Sequence, residues 1–131
     1  MANLIQRILI RTDLNMPVGL LAAQVAHIHA LPFIPALQAE KKGSHPGIQS
    51  LEEWSKTPYL FVHGVPNKEV LQHFRDESIG SGLLVRDWED TIYIDISETQ
   101  RKAFDNVLIG ISIGPADSDR IKTIVGDLPL L

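Results

Sequence analysis

The sequence predicts an α/β fold: a single-domain three-layer sandwich over residues 1–131, with a mixed, mostly parallel sheet of four or five strands and helices on both faces. Three observations predict it. Apolar runs of strand length alternate with segments of helical periodicity, the pattern that builds α/β sandwiches. The runs that start at Leu4, Tyr59 and Val107 are apolar on both alternating faces, as strands covered twice by helices are. A chain of 131 residues, 44% hydrophobic and 21% charged, fits one globular domain and leaves little room for two.

The elements follow in order. Leu4 to Arg11 (LIQRILIR) is a β-branched-rich run of strand length. After the loop Thr12 to Met16, Pro17 suits the first turn of a helix that runs to Ala30. At 3.6 periodicity Val18, Leu21, Ala22, Val25 and His29 share its core face, with Leu20, Gln24 and His27 as a second, uncharged stripe beside it. Glu40 to Gly47 is a polar surface loop, and a short helix is expected over Ile48 to Lys56, stopped by Pro58. Tyr59 to Val65 reads as an interior strand. Asn67 is a good N-cap for a helix from Lys68 to about Ser78. A third strand begins over Leu83 to Arg86, and Thr91 to Ile96 is a strand or a hairpin arm. Ser97 with Gln100 has the spacing of a capping box for a short helix. Val107 to Ile113 is the most strand-like run, and a last helix starts near Ser118 and ends before Gly126.

Composition narrows the function. The chain has no cysteine, which excludes disulfide frameworks, thiolate zinc sites and a cysteine nucleophile. His45, His63 and His73 show no metal-ligand spacing, so neither a metal nor a cofactor is expected. The net charge of −4 argues against an extended grip on nucleic acid, while leaving room for a small local phosphate site. No charged residue stands between Asp13 and Glu40, but Pro17, Pro32 and Pro35 interrupt that stretch, which reads as a buried helix rather than a membrane span. The first residues lack the pattern of a secretory signal, so a soluble, cytoplasmic protein is expected.

Arg11-Thr12-Asp13-Leu14, followed by Gly19-Leu20-Leu21-Ala22-Ala23-Gln24-Val25-Ala26-His27, resembles the type II peptidyl-tRNA hydrolase family. That family's first strand ends in R-T-D-L, and its first helix reads G-K-x-A-A-Q-x-x-H-A. Leu51-Glu52-Glu53-Trp54 leading into Tyr59 to Val62, the turn Ile113-Gly114-Pro115, and Ile121 through Leu131 extend the resemblance over nearly the whole chain. It implies hydrolysis of the ester between a peptide and the 3′ end of tRNA, and it implies a homodimer. The family's helix lysine matches Leu20 here. Its D-A-G-x-T segment matches Asp87-Trp88-Glu89-Asp90-Thr91, which keeps the Asp and the Thr but not the Ala-Gly, and the stretch from Asp87 to Gly114 is longer than in the family.

The candidate catalytic residues are therefore Asp87, Thr91 and His27, with Gln24, Arg11, Asp13 and Gly19 as substrate-binding residues. Asp87 would activate a water with Thr91 hydrogen-bonding beside it, or would simply occupy a strand-end turn. His27 would act as a general base through its imidazole, or would pack as a helix histidine. Gln24 would bind substrate through its amide or satisfy a buried backbone group. Ligands of open α/β sheets gather beyond the carboxyl ends of strands, where Arg11-Thr12-Asp13 and Arg86-Asp87 stand, so Asp87, Gln24 and His27 are expected to converge on one pocket. Ser112 in Gly110-Ile111-Ser112-Ile113-Gly114 mimics a nucleophile elbow but lies inside a strand. Two readings result: an esterase of peptidyl-tRNA, weakened or altered by Leu20, with the tRNA acceptor end or another small ligand as its partner; or a binding module that kept the scaffold and lost the catalyst.

Overall fold

The structure is a computed structural model and describes residues 4–34 and 59–131. The loop expected over Glu40 to Gly47 and the helix expected over Ile48 to Lys56 lie outside the described residues. Four strands, β1 (Leu4–Arg11), β2 (Tyr59–Val65), β3 (Val85–Asp95) and β4 (Arg101–Asp117), form one sheet in the order β2-β1-β4-β3. Among the described residues three helices pack on it: α1 (Val18–Ala30), α2 (Lys68–Gly80) and α3 (Ser118–Val125). The α/β class, the single sheet that holds the runs from Leu4, Tyr59 and Val107, and helices on both faces are as the sequence predicts.

Alternation along β1 divides the core. Ile5 and Leu9 face Leu71 of α2 and Ile121 and Val125 of α3, while Ile8 and Ile10 face Ile28 of α1. Asn67 caps α2, its side chain accepting from the backbone N–H of Val70 at 2.9 Å. The sheet is mixed, but it is not mostly parallel. Among the described strands only β1 and β2 run parallel; β4 is antiparallel to both β1 and β3. The reason lies at residues 96–100, where Ser97 and Gln100 make a tight turn instead of opening a helix. Ile96 N–H donates to the Gln100 carbonyl at 2.9 Å, and Gln100 N–H to Ser97 Oγ at 3.1 Å. Strands joined by so short a turn can only pair antiparallel. The two segments at Leu83 to Arg86 and Thr91 to Ile96 thereby become one long strand and a hairpin arm.

The core face of α1 is rotated from the expected one. Gln24 and Ile28 are buried, with Leu21, Val25 and His29 partly so, whereas Val18 is 83% exposed and Ala22 lies outside. Gly110 of β4 explains part of this: a Cβ there would sit 2.6 Å from the Leu9 carbonyl oxygen and 2.8 Å from Ile28 Cδ1. The absent side chain lets Ile28 seat directly on the sheet and fixes the roll of the helix. Gln24 is turned toward β3 in consequence. His29 is held by Gln6, whose Oε1 lies 2.5 Å from Nδ1.

Candidate functional site: a cleft between α1 and the β3–β4 hairpin

An open cleft of about 420 Å³ lies between the start of α1, which gives Pro17, Leu20 and Gln24, and the hairpin, which gives Asp90 to Tyr93, Asp95 and Arg101. Its organising side chain is Gln24, 2% exposed. Gln24 Nε2 donates to Asp90 Oδ2 at 2.9 Å, and Gln24 Oε1 accepts from the Trp88 indole N–H at 2.5 Å. The other carboxylate oxygen of Asp90 accepts from the backbone N–H of Thr91 at 2.8 Å. A half-buried carboxylate is thus fixed at both oxygens while bordering solvent-filled space. Thr91 borders the cleft too, with its hydroxyl donating to Asp105 Oδ1 at 3.0 Å across the hairpin. His27 is exposed and stacks on Trp88, ring centroids 4.9 Å apart and planes 18° apart.

Asp87 does not join this group. In an antiparallel pair opposite residues share a face, and Asp87 stands opposite Ile111, whose side chain packs with α2 and α3, whereas Trp88 stands opposite Gly110 beneath α1. Asp87 instead accepts from Arg75 Nη1 of α2 at 3.4 Å. The expected convergence of Asp87 with Gln24 and His27 is therefore not met: successive side chains of β3 point to opposite faces, and α1 covers the face of Trp88 and Asp90. Asp90 is the residue that sequence reasoning missed. The signal was present in parity, since Asp90 is an even step from Trp88, but only the position of α1 tells which parity matters.

Arg11 lines a second, smaller cleft of about 270 Å³, and Asp13 is its ion-pair partner. Arg11 Nε and Nη2 donate to the two Asp13 oxygens at 3.0 and 2.8 Å, and Nη1 donates to the Leu108 carbonyl at 3.1 Å. The hydrogen bond from Arg11 holds the Asp13 carboxyl below its ordinary range. Arg11 is thus committed to the loop between β1 and α1. Gly19 stands exposed in the first turn of α1, with nothing within 4 Å of where its Cβ would be. Pro17 precedes that turn and no side chain caps it, so its first N–H groups face outward without a helical partner. Ser112 is fully buried and accepts from Gln6 Nε2 at 2.9 Å, a structural role. Among the described residues no group of three or more His, Cys, Asp or Glu is placed to hold a metal ion, and no helix is long and apolar enough to cross a membrane.

The chain matches the family model described as peptidyl-tRNA hydrolase PTH2 over residues 4–131. It is 33% identical over 125 residues to a protein of Sulfolobus acidocaldarius named peptidyl-tRNA hydrolase, covering 95% of this chain and 97% of that one. It is also 33% identical over 129 residues to proteins of the same name from Methanococcus vannielii and Methanococcus maripaludis, covering 96% of this chain and 97% of each. By matched length and identity, the chain belongs to the peptidyl-tRNA hydrolase PTH2 family.

Proposed function

We propose that the protein hydrolyses the ester between a peptide and the 3′ end of tRNA, and that the reaction takes place in the cleft between α1 and the β3–β4 hairpin. The observation that carries this is the fixed carboxylate of Asp90, held by Gln24 and by the Thr91 N–H at the border of an open cleft. In this reading Asp90 takes a proton from a water as its oxygen bonds to the ester carbonyl carbon. The tetrahedral oxyanion then collapses, the bond to the ribose 3′ oxygen breaks, and the proton passes to that oxygen. The products are the free peptide acid and a tRNA with its 3′ hydroxyl.

The other candidate residues take supporting parts. The uncapped start of α1 favours an anion, because its backbone N–H groups lack partners and carry the positive end of the helix dipole. Gly19 keeps that end open to an approaching oxyanion or phosphate. Gln24 aims Asp90, and His27 packs the Trp88 ring whose N–H aims Gln24. Thr91 supplies the N–H on Asp90, while the Arg11–Asp13 pair fixes the loop that sets the start of α1. The binding-module reading is the weaker one, since a carboxylate fixed at the border of open space stands within reach of a water that a bound ester would meet.

The same reading includes a homodimer and a cytoplasmic location. The outward face of α1, with Val18, Ala22, Ala23 and Ala26, is exposed and uncharged, which suits burial against a second copy; sedimentation at several concentrations tests it. The cytoplasm is where the substrate is made. The activity is tested by peptide release from a peptidyl-tRNA. Asp90→Asn should lower kcat about a hundredfold or more, and Asp87→Asn should change it less than about threefold, as expected of an exposed residue on the other face. The reverse order would overturn the placement of the site.

A further inference from the structure

We propose that Arg101 grips a phosphate of the last nucleotides of the tRNA 3′ end, and that it is the cation that lets this acidic cleft accept a polyanion. The inference rests on the reading that the cleft handles a tRNA ester. Among the described residues that line the cleft, Asp90 and Asp95 are the acids and Arg101 the only base. Two carboxylates repel a phosphodiester chain, so acceptance turns on the guanidinium.

Its setting suits that task. Arg101 stands opposite Asp95 on the last rung of the hairpin, and the hydrogen-bonded turn at residues 96–100 fixes its backbone. Nε donates to Asp95 Oδ1 at 3.0 Å, while the two terminal nitrogens donate to no protein group among the described residues. A planar pair of N–H groups facing outward matches two phosphate oxygens. The ion pair itself is a poor structural device, since side chains 65% and 71% exposed gain little from pairing in water. That same exposure separates a phosphate contact from an oxyanion contact: a donor to the transition state works in a dry, preorganised setting, and Arg101 stands in solvent. Three other cations are engaged elsewhere. Arg11 is locked to Asp13 and Leu108, Arg75 to Asp76 and Asp87, and Lys102 lies 4.9 Å over the ring of Phe104.

The test compares two esters of one N-acetylated amino acid, the first on tRNA and the second on adenosine without any phosphate, cleaved by the wild type, Arg101→Gln and Asp95→Asn. Binding of uncharged tRNA is titrated against salt alongside. For Arg101→Gln we expect KM for the tRNA ester to rise about tenfold with kcat within twofold, and no change on the adenosine ester. The slope of log affinity against log salt should fall by about one, as for one lost phosphate contact. Asp95→Asn, which frees the guanidinium, should tighten tRNA binding. If the pair were merely structural, both variants would weaken binding together, which overturns the proposal. Equal losses on both esters would assign Arg101 to the reaction centre and also overturn it. A wild type that binds tRNA with the expected salt response but cleaves neither ester removes the hydrolase reading and leaves the Arg101 contact standing. A wild type that binds no tRNA removes both.

Discussion

Replacing Gln24 with leucine removes, at nearly constant volume, one amide that serves two partners. Trp88 would lose the acceptor of its indole N–H, now 2.5 Å away, and Asp90 would lose the donor at 2.9 Å. A neutral hydrogen bond contributes about 1 kcal/mol net and one to a charged group about 1.5–3 kcal/mol. The cleft lets water reach Asp90, which places its share at the low end, so the sum is about 2–3 kcal/mol. A chain of this size shifts by about 3–4 °C per kcal/mol, which gives a fall in Tm of about 6–12 °C. Urea and thermal unfolding followed by circular dichroism measure this directly. The same variant should lower kcat about tenfold at nearly constant KM, because the carboxylate stays in place but loses its aim. A stability loss below about 0.5 kcal/mol would show that the network carries no weight. A full stability loss with kcat untouched would refute Gln24 as the residue that orients Asp90.

Two further outcomes follow from other parts of the molecule. Leu20→Lys, on the cleft wall and 44% exposed, should raise kcat/KM on peptidyl-tRNA severalfold at low salt and less at high salt; a rate that is lower or insensitive to salt would count against an electrostatic deficit in the cleft. Acid should destabilise the fold through His63, which is buried, donates from Nδ1 to the Leu128 carbonyl at 3.0 Å and accepts from Arg7 Nη1 at 2.8 Å, a neutral ring. Burial, with the Arg7 charge second, pushes its pKa below the ordinary 6.5. The unfolded chain therefore takes up the proton first. The His63 contribution is complete above about pH 6.5 and is lost as the pH falls through the lower folded value. Unfolding free energies measured from pH 7.5 down to 5 should decline, and His63→Gln should flatten the decline. Equal slopes for the two proteins would show that His63 is not the group responsible.

Much of the scaffold was legible from pattern alone because its signals are local. The apolar run of β1, the Asn67 cap and the runs of β2 and β4 each declare themselves within a few residues. The direction of β4 was not legible, because it depends on whether Ser97 to Gln100 nucleates a helix or closes a turn, and the same polar residues serve both. The site was legible in part for a similar reason. Gln24 and Thr91 were found as types in a spacing, but their partner Asp90 is chosen by the roll of α1, which a glycine far along the chain sets by letting Ile28 down onto the sheet. Arg101 carried no signal at all, being one cation in a polar stretch until the hairpin brings it back beside Asp95.

β4 is one strand with two different neighbourhoods. From Gly110 to Ile113 it is buried and paired with both β1 and β3, whereas residues 101–106 are exposed and, among the described residues, pair with β3 alone. A two-stranded ribbon is barely stable by itself, while a central strand opens only with the whole domain. Amide protons of the inner half should therefore exchange on the timescale of global unfolding, and those of the outer half through frequent local opening. Arg101, on the far wall of the cleft, stands on that outer half, so this wall can open locally while the strands under Trp88 and Asp90 stay paired.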